Sequence, residues 1–362
     1  MDITKKEEAG EIGFWSRLFA HKLGRLGFAF FVLCVFISLF AYALSPDSSP
    51  NANRINPAAA YLAPNTSVFV YYPSDEFVTK TPAIVRFFVG APETSNGILF
   101  SSIDSSDPTA YLFYLNKNNS EARVVYNQDK SKEKGLGEIK KTRLWLGTDN
   151  LGRDVFSRLL IGSRVSLSVG ILAVLLSLII GLSLGLVAGY FGGKIDASVM
   201  WLASVIWSLP TLLLVLAISF AIGKGFWQIF IAIGLSSWVE LTRIVRGEVL
   251  SLKQKEFIMA AKLLHLGNFR ILFRHLLPNV MPSVIVICTA NFASAILLEA
   301  GLSFLGLGVK PPTPSWGMMI NEYSGFMLLD NAYLAFIPGI AIMLLVIAVN
   351  FIGMGLRDIW AE

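Results

Sequence analysis

Charged side chains are scarce in this sequence. Asp, Glu, Lys and Arg make up 15% of its 362 residues, where a soluble domain carries about 25%. Cysteine is scarcer still, at Cys34 and Cys288 alone. Both lie inside apolar runs and neither belongs to a CxxC or metal-ligand pattern, so no disulfide or zinc role is expected. The three histidines, His21, His265 and His275, have no ligand spacing. No GxxxxGK[ST] phosphate loop occurs, so ATP has no site of its own in the chain. No nucleophile–base pair stands out. The chain is therefore expected not to be an enzyme, and to hold neither cofactor nor metal.

What is abundant is apolar bulk. Hydrophobic residues reach 54%, with 26 Phe and 30 Gly, and the mean hydropathy is +0.61. This is the profile of an integral membrane protein. Six stretches can cross a bilayer as helices of about 20 residues. They are 27–44, 165–190, 199–222, 226–245, 280–302 and 333–356. The first ends without a small-residue cleavage signal and is read as a retained span.

The flanking charges orient these spans. Arg17, Lys22 and Arg25 precede the first, and Lys194 lies between the second and third. Arg246, Lys253, Lys255, Lys262, Arg270 and Arg274 lie between the fourth and fifth, against Glu248 and Glu256. Arg357 follows the sixth. With six spans all of these fall on one side, which the positive-inside rule makes cytoplasmic, with both termini there. The expected division is a cytoplasmic segment 1–26, the first helix 27–44, an extracytoplasmic insertion 45–145, a core 146–356 with five helices, and a cytoplasmic end 357–362. Within the core, 246–279 is a cytoplasmic loop.

The insertion is mixed in character. "SVFVYYP", "AIVRFFVG", "TAYLFYL" and "EARVVYN" are β-branched and aromatic runs of strand length. They predict a small β-rich domain at 65–130, followed by a polar linker, "NQDKSKEKGLGEIKK". The expected fold class is thus an all-α polytopic membrane protein with a small β-rich insertion after its first helix.

Within the spans, Gly181, Gly185 and Gly189 stand four apart. That spacing brings helix backbones close in lipid, within the chain or with a partner, or it is the ordinary glycine enrichment of a span. Pro210 should kink or unwind the third span, making it a candidate pathway wall. Glu299, near the end of the fifth, is costly at membrane depth. It can pin a loop, line a pathway or sit solvated at the boundary. The prolines of "KPPTPSW" make rigid extracytoplasmic backbone.

One basic, amphipathic stretch stands apart, "EFIMAAKLLHLGNFRILFRHLLPN" at 256–279. In its first half Phe257, Ile258, Ala261 and Leu264 share a helical face; in its second, Phe269, Leu272, Phe273 and Leu276 do. Arg270 and Arg274 lie four apart on another side. Gly267 and Asn268 separate the halves, and Pro278 is expected to stop the second. Nucleic acid, anionic lipid and a protein partner compete for such an element. Its tether to a span at each end and the lack of a second basic module exclude nucleic acid. Two apolar faces and an exposed turn favour a cytoplasmic protein over lipid.

Four stretches resemble one family: "LGTDNLGRDVFSRLLIGSRVSLSVG" (146–170), the 256–279 stretch, "EAGLSFLGLGVKPPTPSWGMMI" (299–320) and "PGIAIMLLVIAVNFIGMGLRDIW" (338–360). The chain resembles the C-type inner-membrane permease subunits of bacterial dipeptide and oligopeptide ABC importers. The resemblance covers the first span and nearly everything from about residue 145 onward. It carries the motif residues Gly147, Thr148, Asp149, Gly152, Arg153, Asp154, Pro278, Asn279, Arg357 and Asp358.

The resemblance implies a type I importer permease fold in the bacterial inner membrane, forming half of a peptide pathway. Its partners would be a second homologous permease, one or two cytoplasmic ATPases that bind ATP and Mg, and an extracytoplasmic binding protein. It implies that 256–267 couples to the ATPase, with Glu256, Met259, Ala260, Ala261, His265 and Gly267 as coupling positions. Two of them depart from the family pattern: Met259 stands where a glutamate is usual, and His265 where a glycine is. Met354 likewise replaces a frequent aspartate. The same machinery moving nickel chelates or opines is the alternative within transport. A membrane scaffold or receptor built on the insertion is the alternative outside it.

Overall fold

The computed structural model describes residues 21–47, 49–72, 82–90, 98–100, 102–104, 110–114, 122–126, 138–223, 226–327 and 331–361. Most of the expected segment 1–26 and most of the expected polar linker lie outside them. In chain order the helices and strands are α1 (Lys22–Leu39), α2 (Ala41–Leu44), β1 (Thr66–Tyr72), α3 (Ala83–Val89), β2 (Ile98–Phe100), β3 (Ser102–Asp104), β4 (Ala110–Tyr114), β5 (Ala122–Tyr126) and β6 (Glu138–Leu144). Then follow α4 (Val155–Phe191), α5 (Gly193–Trp207), α6 (Thr211–Ile222), α7 (Phe226–Leu252), α8 (Glu256–Leu263), α9 (Asn268–Phe304), α10 (Trp316–Tyr323) and α11 (Tyr333–Ala361).

Five helices among the described residues are long and apolar enough to span a membrane: α1, α4, α7, α9 and α11. The pair α5 and α6, bent by 96°, makes a sixth if it is one broken span. The break falls at Ser208–Pro210, because Pro210 has no N–H to continue the ladder and caps α6 instead. Helix α9 shows the opposite outcome. Pro278 does not stop it. A π-helical stretch, Ile271–Leu276, runs directly into Leu277–Phe304, with Pro278 in that segment's first turn. Pro278 removes one backbone donor where the π-helical bonding gives way to α-helix, and the continuous helix absorbs that loss without ending.

The chain divides into two compact units. One comprises Met1–Val35, Ser166–Val309 and Ile340–Glu362; the other comprises Phe36–Val165 and Lys310–Gly339. In the first, helices pack through glycine. A Cβ at Gly181 would meet Leu241, one at Gly185 would lie 2.7 Å from Val245 Cβ, and one at Gly189 would lie 2.8 Å from Val249 Cβ. The three glycines therefore form one seam against α7 of the same chain. Gly234 repeats the device from the other side, against Leu176.

In the second unit β2, β1 and β6 form an antiparallel sheet, and β3, β4 and β5 form another. Strand β1 pairs with β6 from Thr66↔Leu144 to Tyr72↔Glu138. Val68, Val70 and Leu144 are buried together with Ala59, the period-2 alternation of a half-buried strand. Two expectations are corrected here. "AIVRFFVG" is not a strand but the helix α3. Among the described residues its run has no sheet neighbour, and Pro82 ahead of it and Gly90 behind it cap a helical turn. The last residues of the expected polar linker are likewise not linker but the start of β6. Backbone pairing with β1 makes that strand, and backbone pairing does not require an apolar face.

Candidate functional site

Two regions carry most of the residues singled out from sequence, one in each unit. The first surrounds 147–158 in the second unit. Gly147 and Gly152 have φ of +73° and +71°, and a Cβ at either would overlap Leu62 O or Asn56 O. Glycine is required twice, by conformation and by space. Thr148 Oγ1 accepts from Leu62 N–H and donates to Ala59 O. Asp149 Oδ1 accepts from the N–H groups of Leu151 and Arg153. Its Oδ2 accepts from Arg153 Nε at 2.7 Å and from the Tyr323 hydroxyl at 3.0 Å.

Glu322, from α10, then takes Arg153 at 3.0 Å and Arg158 at 2.6 Å on one oxygen. Both arginines and Asp149 are buried. Burial raises the Tyr323 phenol far above its ordinary pKa, so it serves as a neutral donor. Asp154 caps α4, its Oδ2 accepting from the N–H of Ser157 at 3.0 Å. Burial pushes the Asp154 carboxyl up to about 6, against the lowering effect of its bonds to Ser157.

Sequence reading did not single out Arg158, Glu322 or Tyr323. The usable signal was a buried-charge argument: two arginines at the head of an apolar helix require a carboxylate. The stretch "WGMMINEY" offers one acid.

The second region is the 246–279 loop of the first unit. Helix α8 ends in a Schellman turn. Leu266 N–H bonds Ala261 O and His265 N–H bonds Lys262 O. The left-handed position of that turn is His265, at φ +52°. Gly267 has φ −61° and caps α9, so the flexible residue two places on does not take over the turn. The expected faces are corrected in part. Ile258 and Ala261 are buried against Ile271, Leu272 and Leu276, together with Leu241, Val245 and Val249 of α7. Phe257, Leu264, Phe269 and Phe273 are exposed instead. Two short helices with one base beneath them can bury only the inward half of each stripe.

The outward half is an apolar surface with charges around it. Leu263 is 79% exposed, Leu264 75% and Phe269 72%. Met259, Ala260, Glu256, Lys262, Arg270 and Arg274 are exposed with them. Below this surface Lys253 Nζ donates to the carbonyls of Gly189 and Tyr190, at 3.2 and 2.7 Å, at the end of α4. Burial, with Lys262 nearby, lowers the Lys253 pKa. The Tyr190 hydroxyl donates to Asn268 Oδ1 at 2.8 Å. Pro278 and Asn279 are exposed, and Asn279 Nδ2 donates to His275 O at 2.6 Å. Arg357 is exposed near the end of α11, where Asp358 follows it.

Glu299 lies elsewhere in the first unit, fully buried. Ser303 donates to its Oε1 at 2.8 Å and Ser166 to its Oε2 at 3.3 Å. A Cβ at Gly308 would overlap Ser303, so the chain after α9 folds back onto that serine. Among the described residues no group of three His, Cys, Asp or Glu could hold a metal ion.

With this geometry in view, the comparisons with known proteins decide the family. Residues 181–361 match the binding-protein-dependent transport system inner membrane component family. The chain belongs to that family. This inner membrane component is 43% identical over 214 residues to the dipeptide transport system permease protein DppC of Bacillus subtilis, covering 59% of this chain and 67% of that protein. It is 41% identical over 223 residues to the glutathione transport system permease protein GsiD of Pectobacterium atrosepticum, covering 62% and 74%. Among solved structures, an inward-facing MetNI methionine ABC transporter covers 56% of this chain and 95% of its own at 18% identity, with a TM-score of 0.48. The inner membrane component is a multi-pass transport permease of the ABC class and not itself an ATP-hydrolysing subunit.

Proposed function

We propose that this permease forms half of the pathway of an importer for dipeptides or oligopeptides. An extracytoplasmic binding protein delivers the cargo, a second homologous permease completes the pathway, and cytoplasmic ATPases drive it. The cargo class is supported by the dipeptide and glutathione permeases it resembles. Both termini and the 246–279 loop are assigned to the cytoplasm by their lysines and arginines.

The observation that carries the coupling reading is the α8 surface. Exposed apolar side chains ringed by charge suit a protein partner, and the turn holds them rigidly outward. The face beneath is continuous with the packed bases of α7 and α9. A push on α8 therefore reaches α7 without slack, and the glycine seam carries it into α4. Rigid-body tipping of these spans is how ATP-driven closure would open the pathway to alternate sides. Pro210 and Glu299 are assigned to that pathway or to its support.

The decisive test uses the reconstituted complex with its second permease, ATPases and binding protein. ATP hydrolysis should rise when the binding protein is loaded with peptide. Hydrolysis that ignores the loaded binding protein, or a chain that copurifies with no ATPase, would overturn the reading. The insertion is assigned to contact with the binding protein or the second permease. Deleting residues 66–130 should lower uptake or binding-protein capture; unchanged values of both would remove that assignment.

A further inference from the structure

Helix α3 has a face that nothing in the importer reading uses. At about 100° per residue, Ile84, Val85, Phe88 and Val89 share an arc of roughly 140°. Ile84 is 73% exposed and Phe88 58%, and Val85 and Val89 are exposed beside them. The arc holds no polar residue. Arg86, exposed, stands just past one edge of the arc. Past the other edge Phe87 turns inward, its ring 5.2 Å from that of Phe40 in a T-shaped contact. Phe40 in turn lies 4.5 Å from Phe36 on the last turn of the first span. Phe36 and Leu39 at the end of that span, and Leu44 just after it, are exposed and apolar.

These observations place α3 beside the end of a membrane helix, with an apolar face exposed on α3 and further apolar side chains exposed at that end. We propose that α3 is an interfacial membrane anchor, with Ile84, Val85, Phe88 and Val89 set among lipid chains at the bilayer surface where the first span ends. Lipid is the occupant because the ring series Phe36–Phe40–Phe87 holds α3 at the level where that span leaves the hydrocarbon. Arg86 stands at the boundary of the apolar arc, where its stem can follow the apolar surface while the guanidinium reaches lipid phosphate. The anchor fastens the insertion to the membrane independently of cargo, so it stands or falls apart from the peptide reading.

The test uses the full chain in nanodiscs of phosphatidylcholine and phosphatidylglycerol, with no binding protein present. In a Cys34→Ala, Cys288→Ala background, Phe88→Cys and Ile84→Cys each carry an NBD label. Lys141→Cys, at an exposed position of β6, is the control. Labels at 84 and 88 should be quenched strongly by lipid bearing a doxyl group near the headgroup and be protected from iodide. The label at 141 should behave in the opposite way. Iodide quenching at 84 and 88 equal to the control overturns the proposal. So does protection from both quenchers, which would mean that protein covers the face. Val85→Cys reads the same face if either of the first two variants fails to fold.

Discussion

Two stretches that carry the resemblance read from sequence, around 147–158 and 256–273, use their residues in opposite ways. The first is turned inward. Asp149, Arg153 and Arg158 are buried and bonded to Glu322 and Tyr323, and two glycines admit backbone that no side chain would allow. The second buries only its underside. Leu263, Leu264 and Phe269 face outward among charges. One stretch thus spends its residues on bonds within the chain, and the other leaves an apolar surface open. Exposure and hydrogen bonding tell the two apart where sequence similarity does not.

Mutations can break this contrast. The largest expected effect is Arg153→Ala, which strips a buried counter-charge from Asp149 and Glu322. Removing one partner of a buried ion pair costs about 3–5 kcal/mol. The purified chain should melt markedly lower or fail to accumulate; a melting temperature unchanged from wild type would place the network at the surface. Next is pH. The folded Asp154 pKa of about 6 lies above its ordinary 3.8, so the folded state holds the proton more tightly. Stability from this group is full below about pH 4 and falls as pH rises to about 6, by on the order of 2–3 kcal/mol in all. Asp154→Asn should remove this component, which melting at pH 5 and pH 7 would read as a smaller difference than in wild type.

The outward region should respond differently. Leu263→Asp with Leu264→Asp is expected to change stability by no more than about 0.5 kcal/mol, as exposed positions do. It should nevertheless abolish ATPase copurification and uptake. Loss of folding instead would show that the α8 surface is structural after all. The smallest effect is His265→Gly. A non-glycine residue in the left-handed region costs on the order of 1 kcal/mol, so glycine should raise the melting temperature slightly and leave ATPase binding intact. Met259→Glu should likewise be tolerated. Loss of copurification in either variant would mean that the loop is specialised for its own ATPase.

Much of the architecture was legible in advance because membrane spans are a local property. The long apolar stretches identify themselves, and Pro210 marks the bend between α5 and α6. The corrections share a different cause. "AIVRFFVG" has strand composition but no neighbouring strand among the described residues, and it becomes α3. "EIKK" looks like linker until β1 supplies a partner. Pro278 reads as a stop, yet it lies where π-helical bonding passes into α-helix, and the helix continues through it. In the coupling loop the two stripes were visible, but which half of each is buried depended on α7 lying beneath them. Glu322 and Tyr323 were not read at all, since their partners lie more than 160 residues away in sequence.

Sequence alone determined that this chain belongs in a membrane, which stretches are apolar enough to cross it, and which loop is basic. Lipid leaves the backbone no alternative to the helix, so hydropathy decides locally. Tertiary structure alone decided that Gly181, Gly185 and Gly189 face α7, that two buried arginines share Glu322, and that His265 occupies the left-handed turn. Those outcomes depend on which distant surface comes within contact distance. Close packing and charge pairing are properties of pairs, and no single stretch of sequence contains both members.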